Sequence, residues 1–292
     1  MAFVPEHIFR EYDIRGIADV ELTDEFVMSI GHAYGSWLMA RGVKKAVLGG
    51  DIRFSTKRIK AAAAAGMMKA GVNVTDIGIV STPTFYWSMY RFEADGGIMV
   101  TGSHNPKEFN GLKVAYDKAT LWGDDIREIL RIIKGDRMVT AEVPGSLRFA
   151  GINEEYLDML VSKIKLGPQK LKIVCDSGNG TAGIYAPEFF RRIGCRVTEL
   201  YSEPDGTFPN HHPDPTKREN LHKLIETVLA EVADLGVGFD GDSDRIGVVD
   251  NKGEIIWGDR LMALFWQEIL PKNPGAVAIC EVKSSMALPE EV

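Results

Sequence analysis

The chain lacks what would mark it as exported, membrane-bound or nucleic-acid-coating. Its three cysteines, Cys175, Cys195 and Cys280, are odd in number and far apart, which excludes a disulfide framework. They read as small apolar strand residues in a reducing cytoplasm. No run reaches the ~18 apolar residues of a membrane span, and the first residues show no basic stretch followed by an apolar one, so no secretory signal is expected. Positive charge is not in excess. Lys+Arg number 34 against 41 Asp+Glu, a net charge of −7 that argues against a broad nucleic-acid face. A small anion held by one or two local arginines stays open. Repeats and low-complexity segments are missing too, apart from the alanine run at 61–65, which reads as plain helix.

What is present is a regular alternation of strand-like and helix-like runs, which indicates an α/β architecture. Runs at 45–48, 73–77 and 97–101 read as strands, and 57–70, 82–90 and 124–134 as helices. A polar, Pro/Gly-bearing stretch at 140–150 reads as a linker. A helix at 153–164 then opens a second unit, with strands at 171–175, 195–201 and 235–239 and helices at 184–193 and 218–230. Segments 246–249 and 254–256 form a hairpin pattern around Asn251-Lys252-Gly253. A helix at 260–270 and a strand at 277–281 begin something further. The expected division is 1–148, 149–252 and an incomplete 253–292, in keeping with about two full domains for this length.

Two segments after apolar strands suggest chemistry. Thr101-Gly102-Ser103-His104-Asn105-Pro106 follows one strand, with Asn110-Gly111-Leu112-Lys113 just beyond, where α/β folds place their sites. Ser103 is presented on a tight turn beside His104, as a nucleophile that needs a base or a cation to activate it; an ordinary turn is the other reading. Asp240-Gly241-Asp242-Ser243-Asp244-Arg245 follows another strand. Three alternating carboxylates cannot all ionise close together without a cation, and a hard ion such as Mg²⁺ suits them. A solvated acidic turn competes with that reading. An EF-hand does not, because Arg245 and Asn251 stand where that loop needs glycine and glutamate.

Other segments are weaker. Gly178-Asn179-Gly180-Thr181-Ala182-Gly183 matches a dinucleotide-binding pattern, with Glu199 where a ribose-binding acid would lie, but a turn serving chain geometry explains it as well. Arg10 and Arg15 would hold phosphate or pair with Glu11 and Asp13. The loop 204–215 carries His211 and His212 without a spaced third metal ligand, and reads as structural.

Four of these segments occur together in the order of one family: YDIRG at 12–16, TGSHNP with NGLK at 101–113, PDGTFPNHHPDP at 204–215 and DGDSDR at 240–245. The chain resembles the α-D-phosphohexomutases over essentially its whole length, most of all their bacterial phosphomannomutase/phosphoglucomutase branch. The resemblance implies successive α/β domains, with mixed sheets sandwiched by helices, arranged as four around a deep cleft. This chain would be C-terminally incomplete, holding two domains and the start of a third. It also implies an isomerase interconverting hexose 1-phosphate and hexose 6-phosphate of mannose or glucose, through a phosphoserine and a bisphosphate intermediate. Ser103 would be that phosphoserine. Asp240, Asp242 and Asp244, together with Ser103, would bind one Mg²⁺. Arg245, Lys113, His104 and Arg15 would steady charge and move protons, and Tyr12, Arg15 and Lys283 would bind the phosphosugar. Hexose 1,6-bisphosphate would be the activator.

Three departures from the family pattern stand out. Ser243 replaces a common alanine or glycine, Gly50 replaces a frequent arginine, and the sugar-recognition and phosphate-clamping loops of the later domains are absent. Without those loops the chain alone is expected to turn over poorly, as a fragment or as one piece of a split enzyme completed by a C-terminal portion. The competing functions are an aspartyl phosphatase using Asp240, an NAD-dependent oxidoreductase using residues 178–183, and a non-catalytic sugar-phosphate binder.

Overall fold

The computed structural model describes residues 4–290. The first unit runs β1 (Ile14–Ile17), α1 (Asp24–Met39), β2 (Lys45–Gly50), α2 (Thr56–Lys69), β3 (Asn73–Ile79), α3 (Thr82–Arg91), β4 (Gly96–Val100), β5 (Phe109–Tyr116), β6 (Ala119–Thr120), α4 (Asp124–Lys134) and β7 (Leu147–Phe149). The second runs α5 (Asn153–Lys163), β8 (Lys172–Asp176), α6 (Ala186–Arg192), β9 (Arg196–Leu200), α7 (His222–Glu231), β10 (Leu235–Phe239), β11 (Ile246–Asp250) and β12 (Ile255–Ile256), followed by α8 (Gly258–Ile269).

Each unit is a mixed sheet between helices. The seven-stranded sheet has the order β1-β5-β4-β2-β3-β7, with β6 on β5. Strands β4, β2, β3 and β7 are parallel, while β5 and β1 close the other edge antiparallel. The five-stranded sheet has the order β12-β11-β10-β8-β9, with a parallel centre and an antiparallel hairpin edge. Chain order reverses between β2 and β4 in one sheet and between β8 and β10 in the other. Doubly wound sheets bind their ligands at the carboxyl ends of such strand pairs. Both reversals face one common crevice, because the loops after β4 and β10 touch.

Helices α1 and α2 cross tightly on one face of the first sheet. A Cβ on Gly35 would lie 2.8 Å from Ala70 Cβ, and Gly31 and Gly66 leave no room for one at all. The alanine run therefore packs against glycines of α1, a helix with no counterpart in the sequence reading. Interior glycines lower helix propensity by about 1 kcal/mol each relative to alanine, so the local signal is weak. The close backbone approach that they permit is what stabilises the helix.

The segment read as a linker supplies β7, which pairs in parallel with β3 through Val74↔Leu147 and Asp76↔Phe149. All three β7 residues are exposed, so no burial pattern marked the strand; backbone pairing alone makes it. The strand expected at 277–281 does not form. Val277, Ile279 and Val282 are 86%, 83% and 94% exposed, and no strand pairs with them among the described residues. A strand has no stability without a neighbour to take its hydrogen bonds. Helix α8 precedes this segment with none of its residues buried.

Candidate functional site

Strand β4 delivers the chain into the crevice at Thr101, where the backbone reverses. Ser103 adopts φ +49°, the left-handed region that a side chain seldom occupies without outside support. The Ser103 N–H donates to Thr101 Oγ1 at 2.8 Å and the Asn105 N–H to Gly102 O at 2.9 Å. From β2 comes Asp51, which accepts from the Gly102 N–H at 3.0 Å, and Arg53, whose side chain is 1% exposed. A Cβ on Gly102 would overlap the Arg53 guanidinium, so only glycine fits there.

Strand β10 brings the acidic loop to the same place. Asp240 and Asp242 are fully buried. One oxygen of Asp240 accepts the amides of Asp244 and Arg245, both at 3.1 Å. Its other oxygen accepts from Ser103 Oγ at 3.0 Å. The two loops are in backbone contact, since a Cβ on Gly241 would lie 2.6 Å from Ser103 O. Ser243, at φ +61°, uses its hydroxyl to bond Thr181 Oγ1 at 2.8 Å. The replaced alanine or glycine thus becomes a tie to the neighbouring glycine turn.

Helix α3 closes the arrangement from behind. Thr82, in its first turn, gives its N–H to Asp242 O at 2.9 Å and its hydroxyl to Asp242 Oδ2 at 2.7 Å. Lys113, from β5, lies 2.7 Å from Asp242 Oδ2 and 2.5 Å from Asp244 Oδ2.

Three observations fit a metal ion here. The Asp240, Asp242 and Asp244 carboxylates offer oxygens within 4.8 Å of one another. Asp242 Oδ1 is buried without a hydrogen-bond partner among the described residues. Burial, followed by the nearby Asp242 and Asp244 charges, pushes the Asp240 carboxyl up to about 8. A carboxylate cluster of this kind, rich in oxygen donors, matches a hard divalent cation.

The cations around Ser103 differ in how firmly they are held. Arg15 is ion-paired to Asp13 at 2.5 Å and donates to Asn105 Oδ1 at 2.9 Å, while its buried Nε has no hydrogen-bond partner among the described residues. Arg245 makes no side-chain hydrogen bond or ion pair among the described residues and lines a pocket with Tyr12, Arg15, Tyr86, Ser103, Lys113 and Asp244. That pocket has a volume of about 380 Å³. His104 Nδ1 lies 3.1 Å from Ser103 Oγ. Burial first, then the Arg245 charge, lowers its pKa and favours neutral imidazole. Lys283 is not brought here: it is exposed and pairs with Glu281 at 3.4 Å. Arg10 is absent from the lining of that pocket, and its N–H donates to Asp13 O at 2.8 Å.

The weaker segments resolve in structural terms. At the glycine turn, a Cβ on Gly180 would lie 2.9 Å from Gly241 O, and Gly183 is closed off by the Ser202 backbone. The protein fills the space that a pyrophosphate would need, and Glu199 is paired with Arg191. His211 is a structural residue, held 3.1 Å from Asp176. Asp51, Arg53 and Thr82 escaped the sequence reading, although an Asp-x-Arg directly after an apolar strand was a usable signal. Gly50 is explained as well. The space beside it is taken by Thr56 and by the Lys60 stem, whose Cδ would lie 2.8 Å from a Cβ.

A serine loop from one α/β sheet meeting an acidic loop from a second defines a class of two-sheet α/β proteins with a carboxylate cluster suited to a hard cation. The sequence models of phosphoglucomutase/phosphomannomutase alpha/beta/alpha domains I and II match residues 6–139 and 154–253. The Pseudomonas putida phosphomannomutase/phosphoglucomutase is 42% identical over 287 residues, 98% of this chain and 61% of that protein. The Neisseria gonorrhoeae phosphoglucomutase is 41% identical, across 99% of this chain and 62% of its own length. The crystal structure of a phosphoglucomutase/phosphomannomutase family protein from Burkholderia thailandensis superposes with a TM-score of 0.89 at 40% identity, covering 94% of this chain and 61% of that one. The chain therefore belongs to the phosphoglucomutase/phosphomannomutase family of α-D-phosphohexomutases. It spans about 61% of the length of these relatives. Among the described residues no helix is long and apolar enough to cross a membrane.

Proposed function

We propose that this chain carries the reacting half of a hexose-phosphate mutase, with Ser103 as the residue that donates and reclaims the phosphoryl group. The observation that supports this most is the 3.0 Å approach of Ser103 Oγ to Asp240, which puts the hydroxyl of one sheet on the carboxylate cluster of the other. In the forward step a hydroxyl of the hexose phosphate attacks phosphoserine, the phosphorus–Oγ bond breaks and a bisphosphate forms. Neutral His104 takes the proton of the attacking hydroxyl and returns it to Ser103 Oγ. After the sugar turns over, the other phosphoryl group returns to Ser103 by the reverse of these steps.

Asp240, Asp242 and Asp244, with Ser103, would hold one Mg²⁺, which supplies positive charge to the phosphoryl oxygens. Lys113 acts as a charge stabiliser and not as a base, because Asp242 and Asp244, outweighing burial, hold its proton more firmly. Arg15, whose Nε has no partner among the described residues, and Arg245 meet the phosphate, and Tyr12 lines the same pocket. Phosphoryl transfer needs positioning and charge neutralisation above all. Lys283, exposed here, would join the substrate from a third domain.

The aspartyl-nucleophile reading is weaker, since Asp240 is buried and both its oxygens already accept hydrogen bonds. The test is to incubate the protein with glucose 1,6-bisphosphate, the expected activator, and Mg²⁺, then map the phosphorylated peptide by mass. One phosphoryl group on Ser103, absent from Ser103→Ala, is the expected result. Label on Asp240 would replace the mutase reading with a phosphatase one.

A further inference from the structure

The nucleophile loop folds around a side chain that no step above uses. Both terminal nitrogens of Arg53 are saturated by main-chain oxygens of that loop. Nη2 donates to Ser103 O at 2.9 Å and Asn105 O at 2.6 Å, and Nη1 to Pro106 O at 2.6 Å and Phe109 O at 2.9 Å. Asp51 lies 3.3 Å from Arg53 Nε and anchors the other side of the loop through the Gly102 N–H.

Four carbonyl dipoles converging on one buried point would repel one another and remain unsatisfied without a donor between them. A planar guanidinium offers four hydrogens in a fixed fork, and a lysine ammonium does not. The second unit covers this arrangement. The Phe208 ring lies 5.2 Å from Arg53 Cζ, and a Cβ on Gly206 would lie 2.8 Å from Ile52 O. Phe208 itself takes φ +51°, in a turn whose Asp205 carboxylate accepts from the Thr207 N–H at 2.8 Å.

We infer that Arg53 is a positioning residue for the nucleophile, and that residues 205–208 form the lid that keeps its guanidinium dry. The loop at 204–215 then has a task beyond chain geometry: it seats the serine of the first sheet from the second. This rests on the phosphoserine reading of Ser103 for its consequence in catalysis, but not for its geometry.

Two measurements on Arg53→Lys and Phe208→Ala test it. The first is phosphoryl transfer from glucose 1,6-bisphosphate to Ser103, followed by intact mass against bisphosphate concentration. In Arg53→Lys the maximal rate should fall about 100-fold, the scale of a misplaced reacting group, with half-saturation nearly unchanged. Phe208→Ala should lower it about tenfold, the loss of roughly 1.4 kcal/mol from a buried cation–π contact. The second is amide exchange. The N–H groups of Ser103, Asn105 and Phe109 should exchange about tenfold faster in both variants, while those of β8 and β10 keep wild-type rates.

A merely structural arginine would lower the melting temperature yet leave folded molecules labelling at the wild-type rate, and that result overturns the proposal. If wild-type protein takes no label on Ser103, the rate comparison has no baseline, and exchange decides the positioning claim. Unchanged exchange across 102–109 in a folded variant then overturns it. Should Arg53→Lys not fold, Phe208→Ala, which touches only the lid, carries both measurements.

Discussion

The two loops that meet at Ser103 are built on opposite plans. Residues 101–109 are main-chain carbonyls gathered around a cation, with Arg53 bonding four of them. Residues 240–245 are main-chain amides gathered around an anion, with Asp240 accepting two. In the first, charge is balanced inside the protein, because Asp51 lies beside Arg53. In the second, Asp242 and Asp244 face Lys113 and Asp240 faces the amides, and Asp242 keeps a buried oxygen without a hydrogen-bond partner among the described residues. The serine loop is thus complete without a ligand, whereas the acidic loop is made to take up positive charge. One provides fixed geometry and the other an adjustable field, a division of labour that suits phosphoryl transfer.

The contrast should break most visibly at Gly102. A Cβ there overlaps the Arg53 guanidinium, which is held by four carbonyls and cannot yield. Gly102→Ala should cost about 3 kcal/mol, at the upper end of overpacking penalties, and Mg²⁺ should restore none of it. Urea denaturation with and without Mg²⁺ measures both. A loss below about 1 kcal/mol would mean that the loop is looser than its hydrogen bonds suggest.

The acidic loop should answer to cations instead. Mg²⁺ at a hundred times its dissociation constant should stabilise the protein by about 2.7 kcal/mol, and Asp242→Asn should lose most of this. The pH dependence has a definite sign. Burial and the neighbouring carboxylates raise Asp240 to about 8 in the folded protein, so the folded state holds this proton more tightly than the unfolded chain does. Without a cation, the stabilising effect of protonated Asp240 is complete at low pH and is lost as pH rises towards 8. Mg²⁺ needs the carboxylate, so its stabilisation should grow from pH 6 to pH 8.5. Paired melting curves with and without Mg²⁺ isolate this term from the other titrating groups. A Mg²⁺ shift independent of pH would show that Asp240 is ionised throughout.

A smaller effect is expected where the covering loop is tied to its own sheet. His211 bonds the buried Asp176 and ties the 204–215 loop to the end of β8. Burial opposes its protonation, but Asp176 outweighs burial and raises its pKa. Its stabilising effect is therefore full at low pH and fades as pH rises through that raised value. His211→Gln should cost about 1–2 kcal/mol at pH 6, with a smaller loss at pH 8.5. Chemical denaturation at the two pH values checks this, and an equal loss at both would assign the effect to packing.

The same contrast governs what could be read from sequence. Both loops were legible because each follows an apolar strand and carries an unusual run of polar residues, so Ser103 and Asp240, Asp242 and Asp244 stood out as candidates. Their supports were not. Arg53 and Thr82 act across 50 and 160 positions of chain, and no local pattern announces such a pairing. The α/β alternation was clear in buried strands such as β2 and β4, although it passed over β1 and β5, which are largely buried too. It failed for α1, whose interior glycines serve a neighbour, and for β7, whose side chains bury nothing. Elements stabilised by their own periodicity were visible; those stabilised by a partner were not.

The smallest expected effect lies far from either loop and tests whether left-handed residues are functional or incidental. Ser103 and Ser243 take positive φ where the two loops meet, but so does Val232, after the last turn of α7, at φ 50° and 85% exposed. A β-branched residue is poorly suited to that conformation, and a helix C-terminus of this kind favours glycine. Val232 makes no contact with the site, so its strain has no catalytic return. Val232→Gly should raise stability by about 0.5–1 kcal/mol, the relief of the Cβ clash less the entropy glycine adds to the unfolded chain. Phosphorylation of Ser103 should be unaffected. Glycine at Ser103 relieves the same strain but removes the buried hydrogen bond to Asp240 and the proposed nucleophile, so that variant should gain less stability than Val232→Gly while taking up no label. If Val232→Gly instead destabilised the protein, the α7 terminus would be held by its valine contacts and not by backbone geometry. The left-handed conformation at Ser103 would then need a local explanation of its own.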